Sequence, residues 1–400
     1  MSEAEPNHAA ALSLRVVDDI HAVNASIWDR LAENEAAPAG PGEGPSNPFL
    51  SHAFLSSLED SGCVGERTGW FVQHLVLEDD AGEVRALAPA YAKTHSQGEY
   101  VFDYGWADAF QRAGGQYYPK LQLSVPFTPA GGPRLLAGNG PLSGLFRRAL
   151  VQGIEAYCGQ ADVSSAHATF LRADDLAAME SADWLHRTDQ QFHFINRGYG
   201  AYDDFLASLT SRKRKDLRKE REKALENGIE IVWLTGADLT EEAWDAFYRF
   251  YMDTGARKWG RPYLNRRFFT LVSERMADRI LLVMAKREGR YIAGALNFIG
   301  KDRLYGRNWG CIEDHPFLHF EVCYHQAIDF AIARGLGVVE AGAQGQHKIA
   351  RGYEPVTTHS AHFIRHPGLR AAIADYLEAE REEVDQIGTL LGGHTPFRKG

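Results

Sequence analysis

The chain has little cysteine. Cys63, Cys158, Cys311 and Cys323 are the only four in 400 residues, and none forms a CxxC pair. That excludes a disulfide framework and fits the reduced thiols of a cytosolic protein. No run of about eighteen consecutive apolar residues occurs, so no membrane span is expected. The N-terminal stretch MSEAEPNHAAALSLRVVDD is acidic and has no long apolar centre, so no secretory signal is expected and the location is read as cytoplasmic. Positive charge is also short: 43 Lys and Arg stand against 53 Asp and Glu, a net −10. Coating of nucleic acid requires a basic field, so DNA is not expected as a partner. GxxxxGK[ST] and HExxH are both missing, and no other spacing predicts a metal site.

What the chain does have is material for a large core. Hydrophobic residues make up 44% and charged residues 24%, the composition of a folded protein of two or three units. The spacing predicts a helix near His21–Glu35, a loop over APAGPGEGPSNP (37–48) and a helix over 48–58. Three strands are then expected: WFVQHLVLE (70–78), VRALAPAYAK (84–93) and GEYVFDYGW (98–106). The later half repeats the order with RILLVMAK (279–286), YIAGALNFI (291–299) and LYGRNWGC (304–311). Each meander is followed by a helix (142–157; 317–333) and an apolar strand (166–171; 337–341), which indicates duplication.

Between the copies lies SRKRKDLRKEREKALEN (211–227). From Arg212 to Lys223 it carries eight basic and three acidic residues, a local charge of +5 in an acidic chain. Beyond Pro367 an Ala- and Glu-rich helix leads to a glycine-rich tail. The expected units are therefore 1–195, 196–366 with the basic helix 211–227, and 367–400.

The second meander, its helix and the strand before EAGAQGQHKIARGYEP (340–355) resemble the acyltransferase fold of the GNAT superfamily. The doubled form, with a basic helix leading into the second module, is similar to the Fem-like transferases of peptidoglycan biosynthesis. Three segments carry a resemblance to bacterial Fem-like, GNAT-type proteins: GEYVFDYGWADAF (98–110), YYPKLQLSVPFTPAGGPRLL (117–136), and FLHFEVCYHQAIDFAI (317–332) running on to GAQGQHKIARGYEP (342–355). This implies an α/β (α+β) fold of two tandem GNAT-like modules, each a mixed, mostly antiparallel sheet flanked by helices. It implies a bacterial N-acyltransferase that joins an acyl donor to an amine, by direct attack on a carbonyl polarised by backbone amides. Acetyl-CoA or another acyl-CoA would be a co-substrate, with no tightly bound cofactor. The alternative is a Fem-type transferase using aminoacyl-tRNA on a cell-wall precursor, and a second alternative is a non-catalytic binding protein on the same scaffold.

One departure bears on the donor. GNAT enzymes usually cradle the CoA pyrophosphate with the amides of a Q/R-x-x-G-x-G/A loop at a helix N-terminus. The second module has IEDHPFLHFE (312–321) there, with no glycine and two acids. The first module has the glycine-rich GGPRLLAGNGPLSG (131–144), which carries Arg134.

The candidate residues follow from position and chemistry. The loop after Glu340 would bring Gln344, His347, Lys348 and Arg351 to the cleft, where Lys348 and Arg351 suit an anion and His347 exchanges protons near neutrality. Its glycines would otherwise only make turns. His319, Glu321 and Tyr324 supply the types needed for acid–base work, with Glu340 a fourth candidate, while core packing and an arginine partner for Glu321 are the plain reading. Asp103 with Trp106 and Arg307 with Trp309 could form charged, aromatic-walled pockets, or the tryptophans could be core plugs. Lys120 and Arg134 sit in proline-fixed loops where an anion could dock. Arg212 and Lys215 represent the basic helix, which is either a polyanion-binding surface, tRNA included, or a solvated face.

Overall fold

The computed structural model describes residues 11–33, 46–258, 262–342, 345–393 and 395–398, and for Gln346 and 256–258 the backbone alone. The strands of the first half are β1 (Leu12–Val17), β2 (Trp70–Val72), β3 (His74–Asp79), β4 (Val84–Ala88), β5 (Ala90–Lys93), β6 (Lys120–Leu123), β7 (Ser165–Ala168) and β8 (Leu185–Ile195). Those of the second are β9 (Ile229–Leu234), β10 (Ile280–Arg287), β11 (Arg290–Ile299), β12 (Arg303–Cys311), β13 (Val338–Glu340) and β14 (Glu354–Ile364). They form a small sheet β1-β3-β4 and an eleven-stranded sheet ordered β2-β5-β6-β7-β14-β8-β13-β12-β11-β10-β9.

The duplication is visible in the pairing. In the second half β10 and β11 form a hairpin closed by Glu288 and Gly289, both at positive φ, as a two-residue turn of matching twist requires. β12 then pairs antiparallel with β11, and β13 pairs parallel with β12. In the first half Pro89 divides β4 from β5 because it has no N–H to give a ladder. β6 pairs antiparallel with β5, and β7 parallel with β6. The halves then exchange strands. β8 of the first pairs with β13 of the second, β14 of the second pairs with β7 of the first, and β8 and β14 run antiparallel along one another at the centre. A cut near residue 195 therefore leaves each half with a strand belonging to the other.

The segment 98–106 is a correction. A third strand is expected there, but Gly98 and Tyr100 have positive φ, which a strand does not tolerate, and Tyr104–Arg112 is a helix. The third strand of the first meander is β6, whose Lys120 lay in an expected loop. The helices fall where the sequence puts them, the basic helix over Ser211–Ala224, the meander helices over Ser143–Gln160 and 318–333, and the C-terminal helix over Pro367–Gly392. The expected strands 70–78 and 84–93, by contrast, are each divided between the two sheets, at Gln73 and Pro89, and 37–45 of the expected loop lie outside the described residues.

Register fixes which residues share a face of the sheet. One face of the central strands is apolar, with Leu121, Leu123, Ala166, Ala168, Ala361, Phe192, Phe194, Val339 and Leu304 buried beneath helices. The other is polar yet largely buried. Lys93 stands opposite Lys120, Gln122 opposite His167, His167 opposite His362, and Glu340 opposite both His193 and Tyr305. Each of these side chains is at most 7% exposed. A buried polar face is costly unless its groups are paired, so it marks where function is sought. Among the described residues, no helix is long and apolar enough to cross a membrane.

Candidate functional site

In the second half, β12 and β13 stay paired only from Arg303/Val338 to Tyr305/Glu340. Beyond that they part. The cause is local: Asn297 of β11 faces Gly306 while Leu296 faces Asn308, so Arg307 is an extra, bulged residue. A bulge bends its strand and re-aims its side chain. Arg307 turns to the first half, where it donates to the Phe127 carbonyl and hydrogen-bonds Tyr100.

The splay is closed at its inner end by Glu340 and by the 3₁₀ turn Gln346–Arg351. Lys348 is 4% exposed. Its Nζ donates to the carbonyls of Ala341 (2.5 Å) and Gly342 (3.2 Å), and no carboxylate pairs with it among the described residues. Burial lowers its pKa to about 8, as expected of a desolvated, unneutralised ammonium. Glu340 accepts from Arg303 Nη1 at 3.0 Å, while its Oε2 is buried without a hydrogen-bond partner.

Beside Lys348 lies a ring of aromatic groups. His347 Nε2 is 3.1 Å from Tyr324 Oη, and its ring centroid lies 5.3 Å from Phe320 and 6.5 Å from His319. His319 in turn packs on Trp309 at 5.1 Å. Burial, then Arg351 and Lys348, lower the His347 pKa, which favours the neutral imidazole, and burial raises that of Tyr324. Trp309, His319 and Phe320 also wall a cavity of about 370 Å³ completed by residues 313–318, Thr254 and Cys311. Glu313 in its wall is held down to about 2 by hydrogen bonds from Arg287 and His315.

The helix behind this ring contains a π turn, Glu321–His325, a feature frequent at functional sites. It turns the fully buried Glu321 into an ion pair with the partly exposed Arg221 of the basic helix, at 2.8 Å, and Glu321 accepts also from Gln326. Glu321 is therefore not placed as a free acid or base. Arg351 is likewise committed: it makes a two-point contact with Glu220 at 2.7 and 2.7 Å and lies 3.4 Å over the Phe320 ring. Both pairs rivet the basic helix to the site. On the opposite side of that helix Arg212, Lys215, Lys219 and Lys223 are exposed with no ion-pair partner among the described residues. Lys223 Nζ lies 6.0 Å from the ring of Phe317, which borders the cavity.

The remaining candidates lie elsewhere. Lys120 is buried in the first half, 2.6 Å from Glu99 and 2.5 Å from Asp103, and Tyr117 donates to the same Asp103 oxygen. Trp106 packs on His362 and under Arg187. Arg134 is fully buried and donates to the Ala130 and Pro133 carbonyls, so it is closed to a docking phosphate. Gln344 lies outside the described residues. The structure thus brings together His319, Tyr324, His347, Lys348 and Trp309. It sets Glu340 beside Arg303 on the polar face and Arg307 against Phe127 and Tyr100, and leaves Asp103, Trp106 and Lys120 in the first half. Sequence reasoning missed Arg303, hidden in an apparent turn (GKDR), and the riveting pair Glu220 and Arg221, hidden in a charge run.

The family model for peptidoglycan biosynthesis/recognition, FemAB-like, matches residues 19–399. Among solved structures the chain is similar to FemX, with 12% identity, 88% of this chain and 98% of that one covered, and a TM-score of 0.53. It is similar to a conserved protein of unknown function from Bacteroides thetaiotaomicron at 12% identity, with coverages of 88% and 99% and a TM-score of 0.52. A tandem GNAT protein from the clavulanic acid biosynthesis pathway aligns at 11% identity, with coverages of 89% and 99% and a TM-score of 0.46. At these identities the likeness is one of fold. No curated protein matches the sequence significantly.

Proposed function

The chain belongs to the FemAB-like family, and on that premise we propose that it is a transferase that moves the aminoacyl group of an aminoacyl-tRNA to an amine of a peptidoglycan-type precursor in the cytoplasm. The observation that carries this reading is the distribution of charge around the cavity. The turn where a GNAT enzyme holds a diphosphate presents Glu313 and Asp314, while the exposed row Arg212, Lys215, Lys219 and Lys223 runs up to the cavity's rim at Phe317. A CoA diphosphate would meet carboxylates there. A longer polyanion could rest on the helix and reach in with its neutral ester end alone.

The chemistry can then be divided between the two sides of the splay. The acceptor ammonium approaches Glu340 Oε2 on the polar face and gives up a proton to it. The free amine attacks the ester carbonyl, so that a C–N bond forms and the C–O bond to the ribose breaks, and the second nitrogen proton passes to Lys348 as it gives its own to the ribose oxygen. Lys348, whose pKa near 8 lies close to the operating pH, is suited to return a proton to the departing oxygen. Held by two carbonyls, it keeps its charge at the place where the anion develops. His347 lies beside it, against Tyr324, to orient the donor.

Incubation of the protein with labelled aminoacyl-tRNA or labelled acetyl-CoA, each with a muropeptide precursor, tests this. Amide product from the tRNA arm, lost in Glu340→Gln, is expected. Product from acetyl-CoA alone would restore the acetyltransferase reading. No product from either arm, with ligand-induced melting shifts intact, would favour a binding protein.

A further inference from the structure

The cavity at 313–320 has a second property that the aminoacyl reading does not require. Among the described residues its wall carries two carboxylates and several ring faces and no Lys or Arg lines it, with Arg287 behind Glu313 and Lys223 6.0 Å from the Phe317 ring. Glu313 is partly neutralised by Arg287 at 2.8 Å. Asp314 is exposed, with no ion-pair partner among the described residues. Trp309 and Phe320 stand on the inner side, and Phe317, at φ +64, turns its 39% exposed ring to the rim. About 370 Å³ lies within the roughly 300–1,000 Å³ typical of small-molecule sites. Ring faces attract cations through their quadrupole, and a nearby carboxylate adds to that attraction. The same wall repels phosphate and gains nothing from a neutral aliphatic chain beyond its burial.

We propose that this cavity selects the donor's side chain and takes a cationic one, an ammonium or guanidinium at the end of a flexible apolar stem. The placement fits a single molecule. The cavity's inner wall, His319 and Phe320, is also the ring contact of His347, the neighbour of Lys348. An aminoacyl ester with its carbonyl at Lys348 would extend its side chain past Phe320 towards Asp314. The stem would lie against Trp309 and Phe320, and the charge would reach the carboxylate. This inference rests on the aminoacyl reading above, but its test does not need turnover.

Titration of the full-length protein with L-lysinamide and with L-norleucinamide compares two ligands that share the α-amino group and the stem and differ in the terminal charge. Lysinamide is expected to bind about tenfold or more tightly. Asp314→Asn, an exposed change that leaves the melting temperature unaltered, is expected to remove most of that ratio. Equal affinities would mean that only the α-amino group is read, and would overturn the proposal, as would a ratio untouched by Asp314→Asn. If aminoacyl-tRNA is a donor but alanyl and lysyl groups transfer equally well, this inference fails and the transferase reading stands. If lysinamide is preferred and no aminoacyl-tRNA reacts, the transferase reading fails, and with it the donor role of the cavity, while its preference for a cationic side chain stands.

Discussion

Two buried lysines, one in each half, show what duplication left in common and what it did not. Matching β8 to β14 over their eleven residues places Lys120 of β6 where Arg303 of β12 stands, and His167 where Glu340 stands. Around Lys120 every charge is answered within the protein: Glu99 and Asp103 flank its ammonium, and Lys93 lies 3.6 Å from Glu99 and 3.5 Å above the Trp70 ring. His167 and His362 share a hydrogen bond at 2.8 Å, and burial pushes His167 down to about 3, so it stays neutral. Around Lys348 the sum is left open. Among the described residues its ammonium has only carbonyl partners and no carboxylate, whereas an unpaired carboxylate oxygen is common to both clusters, Glu340 Oε2 here and Glu99 Oε1 and Asp103 Oδ1 there. A closed set of charges holds a structure, whereas an open set requires something from outside to complete it. The first half thus holds its buried lysine between carboxylates, and the second holds its own between carbonyls.

The sharpest way to break that comparison is to delete each charge while keeping its stem. Lys120→Met would leave Glu99 and Asp103 buried without their cation, and such a loss typically costs about 3–5 kcal/mol. Denaturant unfolding should show it, and the protein should lose much of its folded population at 37 °C. An unchanged midpoint would mean that water reaches the cluster and that the first half is as open as the second.

Lys348→Met should do the opposite. Lowering a lysine from 10.5 to about 8 corresponds to about 3 kcal/mol of strain at neutral pH, less what the abandoned carbonyls of residues 341 and 342 lose, about 1–3 kcal/mol. Stability at pH 7 should therefore hold or rise, while aminoacyl transfer falls by about a hundredfold. A lower melting temperature with unimpaired transfer would make the turn merely structural. The same strain predicts a pH dependence. Between about pH 8 and 10.5 the unfolded chain holds this proton and the folded chain does not, so stability rises with pH through that window. Wild type should gain on Lys348→Met by up to about 3 kcal/mol across it, and parallel curves would show that Lys348 is solvated after all.

How much of this was legible beforehand depends on the kind of signal. The second meander was readable because its strands are long, apolar and separated by tight turns. The first was blurred by Pro89, which splits a strand, and by aromatic residues at 98–106 that look β-forming but sit at positive φ and at a helix start. Lys348 and His347 could be suspected from their place after a strand end. That Lys120 is a closed ion pair could not, since Glu99 and Asp103 lie in a loop whose path only the fold decides. The strand exchange was hidden too, because β8 and β14 carry nothing in sequence that says which half they join. Glu321 shows the limit of residue type: an acid on a helix near a cleft reads as catalytic until Arg221 is seen to bind it.

The smallest expected effect concerns the basic helix, and it separates the two faces of one element. Its inner face, Glu220 and Arg221, is fixed by Arg351 and Glu321. Its outer row has no ion-pair partner among the described residues. Replacing Arg212, Lys215 and Lys219 together with Gln should therefore change stability by no more than about 0.5 kcal/mol, because solvated cations contribute little to folding. Binding of tRNA should respond in a different way. Each cation that displaces a counterion adds to the slope of log affinity against log salt, by about 0.7–0.9 per phosphate contact. The triple variant should then bind more weakly at low salt, with a slope shallower by about two to three, and should converge on wild type as salt rises. Filter binding from low to moderate salt measures this directly. If the slope is unchanged, the row is a solvated face and the polyanion must reach the cavity by another path. If the slope falls but transfer from a short aminoacyl-ester mimic is unaffected, then the helix holds the carrier and the splay alone handles the ester.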